Sequence, residues 1–268
     1  MTLSPWSCCQ RLVAEWRLSM WSVVDTNGKT FDVVASFQPT PYALTAIIKL
    51  IFLAWATSIW IIDMIDYESK AFWYAYLTHW GQLVTMLYFV LSLTTLLLFK
   101  VVQEEPLNFI TRFTWGVFTT IVTVESVITL LYWSLEYTGD ALMYREVMKH
   151  GGFLLLLWID GFAINRIPIR FKQILWPYLF YILYLLWSVI HSVAKLGNPY
   201  RNDNDPTTDD DAIYSSVSWN HRTGQIAITC VLLLTFFLPL LFLMNWLLST
   251  LTYRRYINEN LLAEAEQV

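Results

Sequence analysis

Six long apolar runs separated by short polar stretches set the pattern of this chain. They cover residues 42–62, 72–99, 109–133, 147–164, 174–194 and 225–253. A bilayer core about 30 Å thick is crossed by roughly 20 apolar residues in a helix, so each run predicts a transmembrane span. The fourth is the shortest, and Gly151, Gly152, Asp160 and Gly161 interrupt it. Pro177 falls in the first turn of the fifth, where a missing N–H costs little. Pro239 sits mid-span in the sixth, where a kink is expected. The pattern implies an all-α fold: a polytopic membrane protein whose six transmembrane helices occupy residues 42–253. Residues 1–41 are expected to form an N-terminal segment with a candidate interfacial helix, and 254–268 a tail.

Composition agrees with a bilayer. Of the 268 residues 56% are apolar and only 14% charged, and the mean hydropathy is +0.47. A soluble domain carries about a quarter charged residues, so this chain cannot wet a globule of its size. Disorder, a coiled coil and a disulfide scaffold are excluded by the same figures. The 14 Trp, 15 Tyr and 16 Phe suit rings that sit at the lipid–water boundary. A net charge of −4 offers nucleic acid no broad basic surface. Counted on alternate sides, ten Lys and Arg fall on the side of the N-terminus and six on the other. Positive residues accumulate in the cytoplasm, so both termini are expected there, in the plasma membrane or an endomembrane. No secretory signal opens the chain, since Arg11, Glu15, Arg17, Asp25, Lys29 and Asp32 break residues 1–41.

Cysteines provide no framework: Cys8 and Cys9 are adjacent candidates for palmitate, and Cys230 lies in an apolar run. The acidic loop 201–211 faces outward on this topology and reads as a solvated loop without the ligand pattern of an EF-hand.

Polar groups inside a span are expensive, which makes each a candidate for function. Thr78 and His79 lie about two turns into the second run from the outer side, His150 opens the fourth, and His191 ends the fifth. Thr78, Gln82 and Thr85 form a stripe at i, i+4 and i+7, a spacing that Tyr184, Ser188 and His191 repeat on the fifth run. Such stripes also serve simply to hydrogen-bond neighbouring helices. Glu125 is eight residues from the outer end of the third run, which puts it roughly 12 Å deep at 1.5 Å per residue. His79 and His221 are expected to be interfacial anchors. Asp160 is expected to pair with Arg166 or Arg170 near the cytoplasmic side.

The chemistry open to these groups is narrow. Threonine attacks a carbonyl only when an adjacent base takes its proton, and histidine is the usual base near neutral pH. Thr78 and His150, on different helices at similar depth, can meet in a cavity open to the outer leaflet. Serine-hydrolase, zinc-protease and phosphate-loop motifs are missing. Cysteines and histidines fall on opposite sides, so no metal site and no cofactor is expected.

Three short motifs carry a resemblance. Tyr76-Leu77-Thr78-His79-Trp80-Gly81 resembles the Tyr-Leu-Thr-Asn-Trp-Gly signature of the rolling stone-like membrane proteins. His150-Gly151, then Asp160, Pro168 and Arg170, resembles that family's His-Gly, Asp and Pro-x-Arg stretch. Ile213-Tyr214 followed by Trp219 is similar to its Ile-Tyr-Pro and Asp-Trp element, with Ser215 and Ser218 replacing the proline and the aspartate. The resemblance spans about residues 71–221. These proteins are in turn distantly similar to the androgen-induced and androgen-dependent six-helix membrane hydrolases, which cleave fatty-acid esters with an intramembrane Thr and His. The resemblance implies Thr78 as nucleophile, His150 as catalytic base and a lipid ester as substrate, with membrane lipids as surroundings. The family's second histidine is replaced by Val147. Rolling stone-like membership also implies a different class of function, a non-catalytic role in cell fusion, adhesion or signalling. A transporter, running along Lys49, Glu125 and Asp160, is a third reading of the buried charges.

Overall fold

The structure is a computed structural model. It describes residues 13, 15–22, 36–37, 41–98, 107–137, 139, 143–199, 210–214, 218–220 and 223–265, the side chains of 71 and 253–265 excepted. The chain is a six-helix membrane protein. Its spans are α1 Tyr42–Asp66, α2 Leu77–Leu98, α3 Phe109–Glu136, α4 Tyr144–Ile164, α5 Phe171–Val193 and α6 Thr223–Thr252. The last of these helices continues to Ala265.

Each expected run forms a helix, and the bounds differ where charge was taken to end a span. α1 runs on to Asp66 and α4 begins at Tyr144, because Asp63, Glu146 and Lys149 neutralise one another inside the bundle. The second run is broken into a single turn, Lys70–Trp73, and α2 proper.

α3 is the axis of the bundle. Its most apolar window is 83% buried, against 22% to 61% for those of the other spans. Its hydroxyls allow burial on every side. Thr114, Thr120, Thr123 and Ser126 each donate to the carbonyl four residues back, so small polar side chains are satisfied within the helix. α2 crosses α3 closely at Gly81, where an added Cβ would stand 2.6 Å from Ile128 Cδ1 and 2.7 Å from Glu125 Oε1. Gly161 on α4 likewise lies against the Phe118 ring. α6 is tied in by Asn245, which donates to Ser126 Oγ at 3.0 Å and accepts from Trp158 Nε1 at 2.9 Å.

The shortest run is helical save for a kink at His150, with φ −112° and ψ 18°, and widens twice into π-turns, Met148–Gly152 and Ile159–Ile164. π-turns rotate the following side chains and recur at functional positions; here they carry His150 and Asp160. Another π-turn, Leu233–Phe237, ends two residues before Pro239. The proline ring clashes with the carbonyl four residues back and withholds a donor, which explains why the ladder loosens there.

At the end of the bundle where α1 begins, residues 15–22 dock under α3 and α5. Trp21 packs edge-on against Trp115 and beside Trp176. Arg170 donates to Ser22 O at 2.8 Å and pairs with Glu15 at 3.2 Å. Cys8 and Cys9 lie outside the described residues.

Candidate active site

A cavity of about 480 Å3 opens at the end of the bundle where α2, α4 and α6 begin. That volume lies within the range of small-molecule sites. Ile128, Leu131, Leu185, Ile226 and Leu233 give it an apolar wall, and Thr78, Glu146, Lys149, His150 and Tyr214 a polar one. Of the residues expected to act together, Thr78, His150, Tyr184 and Ser188 all line it.

Thr78 is the second residue of α2 and is buried. The helix start is held from outside. Leu77 N donates to the Tyr214 hydroxyl at 2.9 Å, and the Tyr184 and Thr78 hydroxyls face that same oxygen. Burial pushes the Tyr214 phenol up to about 12, against the pull of the Leu77 N–H and the two hydroxyls. Tyr184 OH in turn donates to Ala75 O at 3.1 Å.

His150 is fixed on three sides. Its ring stacks on Tyr132 with centroids 3.4 Å apart and planes within 5°. Its carbonyl accepts from Trp133 Nε1 at 2.8 Å. Its Nε2 lies 3.4 Å from Glu146 Oε2, one helical turn earlier, while its Nδ1 is buried with no partner. A carboxylate at Nε2 favours the tautomer that carries its proton there, which leaves the Nδ1 lone pair available.

Beside this pair lies a denser ionic cluster. Asp63, wholly buried, accepts from His79 Nε2 at 2.9 Å, Trp73 Nε1 at 2.9 Å and Lys149 Nζ at 3.1 Å. Lys149 also reaches Glu146 at 3.1 Å, linking the cluster to His150. His79 is therefore no interfacial anchor. It stacks on Trp73 at 4.1 Å, and its Nδ1 lies 2.5 Å from Trp73 O. Both of its nitrogens are engaged by neighbours, Nδ1 by Trp73 O and Nε2 by Asp63. Of the two cavity histidines, only His150 has a buried ring nitrogen without a partner. His221 lies outside the described residues.

The remaining expected residues scatter. Gln82 and Glu125 are buried below the cavity without lining it. Glu125 Oε1 accepts from Thr85 at 3.3 Å, whereas Oε2 and both polar atoms of the Gln82 amide have no partner. His191 lines a neighbouring cavity of about 660 Å3, its Nδ1 3.2 Å from Asp211 O. Ser188 donates to Leu185 O and accepts from Trp219 Nε1. Asp160 does not pair with Arg166 or Arg170. Its carboxylate takes Lys49 Nζ at 2.8 and 3.0 Å, Tyr88 OH at 2.5 Å and Asn165 Nδ2 at 2.8 Å. The reason is direction: the π-turn aims Asp160 into the bundle, Arg170 turns toward Glu15, and Arg166 sits at φ +55° with its carbonyl facing Ser36.

Asp63, Glu146 and Lys149 were not singled out from the sequence. The signal for Glu146 was present, since it stands at i−4 from His150. That for Asp63 was hidden by its place one residue past the apolar run. Among the described residues, no group of three or more His, Cys, Asp or Glu is placed to hold a metal ion. Compared with protein-family models, curated proteins and solved structures, the chain finds no match in any of the three.

Proposed function

We propose that this protein is an intramembrane hydrolase of lipid esters, with Thr78 as nucleophile and His150 as general base. The observation that carries the reading is the buried, unpartnered Nδ1 of His150 in the cavity that Thr78 also lines. The resemblance of both residues' motifs to ester-cleaving membrane proteins supports the same roles. In the first half-reaction Thr78 Oγ bonds to the ester carbonyl carbon as its proton passes to His150 Nδ1, and the carbonyl electron pair moves onto oxygen. The pair returns, the bond to the alcohol oxygen breaks, and that alcohol leaves with the proton from His150. Water then attacks acyl-Thr78, gives a proton to His150, and releases a fatty acid as Thr78 is reprotonated. Glu146 acts through His150, holding its tautomer. The charge count supports cytoplasmic termini, which would open the cavity toward the outer leaflet.

The test is purified full-length protein in detergent or liposomes acting on fatty-acid esters. Thr78→Ala and His150→Ala should each lower turnover by several orders of magnitude, and the double variant should be little worse than either. Thr78→Ser should retain part of the activity. A wild-type protein that turns over no fatty-acid ester, or an active Thr78→Ala variant, would remove the enzyme reading. The non-catalytic role would then lead. Labelling a tag placed in the loop 201–211 on intact cells tests the orientation, and labelling only after permeabilisation would reverse it.

A further inference from the structure

We infer that Tyr214 is a catalytic residue of this site, the hydrogen-bond donor that stabilises the oxyanion formed when Thr78 attacks the ester carbonyl. The inference rests on the hydrolase reading and goes beyond the Thr78–His150 pair. Tyr214 belongs to the Ile213-Tyr214 motif, to which that mechanism gives no work. Tyr214 lines the cavity, and its hydroxyl lies at the start of α2, taking the Leu77 N–H at 2.9 Å and facing the Thr78 hydroxyl. The carbonyl oxygen of an ester attacked by Thr78 must settle close to that nucleophile. Leu77 N–H occupies a lone pair of the phenol oxygen, so the phenol's own proton remains to be given.

A donor for an oxyanion acts best when it is held in place before the reaction. The loop that carries Tyr214 is held in this way. Asn198 ties it twice, its N–H to Asp210 O at 2.7 Å and its side chain to Ala212 O at 2.8 Å. His191 lies against Asp211 O, and Ile213 is buried against Phe72 and Ala75. This gives His191, expected to support the site, a place outside the cavity wall as a fastener of the loop. A phenol that titrates near 12 keeps its proton throughout the neutral range.

The experiment compares wild type, Tyr214→Phe and Thr78→Ala, as purified full-length chains, on 4-nitrophenyl octanoate and with an octyl trifluoromethyl ketone, which forms a tetrahedral oxyanion with the nucleophile. Removal of one oxyanion donor lowers kcat by about 10²-fold or more. Tyr214→Phe should therefore lose about that factor in kcat with KM within twofold, and should weaken the ketone by a similar factor. If Tyr214→Phe does not fold, 3,5-difluorotyrosine installed at position 214 keeps the shape with a more acidic phenol. Its kcat should then fall with rising pH well before that of wild type, as the donor loses its proton. Wild-type kcat and ketone affinity in Tyr214→Phe, or superimposable pH profiles for the fluorinated chain, would overturn this assignment and leave Thr78 and His150 untouched. A wild type that neither turns over the ester nor binds the ketone would remove the hydrolase reading and this inference together.

Discussion

Asp160→Asn should be among the most damaging conservative changes in this protein. The carboxylate is wholly buried and accepts from Lys49, Tyr88 and Asn165, with Lys49 equally buried. The amide keeps the shape and one acceptor, so Tyr88 and Asn165 can still be served. It removes the negative charge and turns an N–H2 toward donors. The Lys49 ammonium is then left with Ser92 Oγ at 2.7 Å and no counter-charge. Removing one partner of a buried ion pair costs about 3–5 kcal/mol, much of it the penalty of the stranded charge. Adding Lys49→Met should bring stability back to within about 1–2 kcal/mol of wild type, because replacing both members of such a pair by neutral groups is often nearly neutral. Unfolding in mixed detergent micelles, followed through the 14 tryptophans, measures all three proteins. The reasoning is wrong if Asp160→Asn loses under about 1 kcal/mol, or if the double variant is less stable than Asp160→Asn alone.

Glu146→Gln preserves size but no longer holds His150 through a carboxylate, so kcat should fall at least about tenfold with KM little changed, as initial rates on a fatty-acid ester would report. Gly161→Ala must displace the Phe118 ring and should cost about 1–3 kcal/mol, visible as a lower melting temperature in detergent. Tyr214 titrates near 12 in the folded chain, from an ordinary value of 10. The folded chain therefore holds this proton after the unfolded chain has lost it. Its contribution to stability is whole below about pH 10 and is lost as pH climbs toward 12. Melting curves from pH 8 upward should show that decline, and Tyr214→Phe should make it shallower.

How much of this was legible beforehand depended on the kind of signal. The six spans follow from local hydropathy, and all six form. Their ends followed less well, because a window that stops at charge cannot know that Asp63 will meet His79 and Lys149 across the bundle. Asp160 was recognised as buried and partnered, but its partner lies 111 residues away on α1, a distance that no local pattern encodes. Thr78 and His150 were recognised by residue type and depth, and both line the cavity. What separates His150 from His79 is the acceptors around each ring, a tertiary fact. Glu146 needed only helical arithmetic, four residues before His150.

The docked N-terminal segment sets a timetable for the protein's own synthesis. Glu15 and its partner Arg170 are 155 residues apart. At about 5–20 residues per second, that separation corresponds to roughly 8–31 s between the birth of the segment and the birth of its seat. Gln173, which donates to Met20 O, arrives three residues later still. Trp115 is made within that interval, but Phe171, the partner of Trp16, and Trp176, the other partner of Trp21, follow only after it. A nascent chain carrying two such rings must shelter them in the headgroup layer or on a chaperone, and a bulky fusion ahead of them would burden that wait. Residues 15–22, made before any of the six spans, are thus among the last to reach their place.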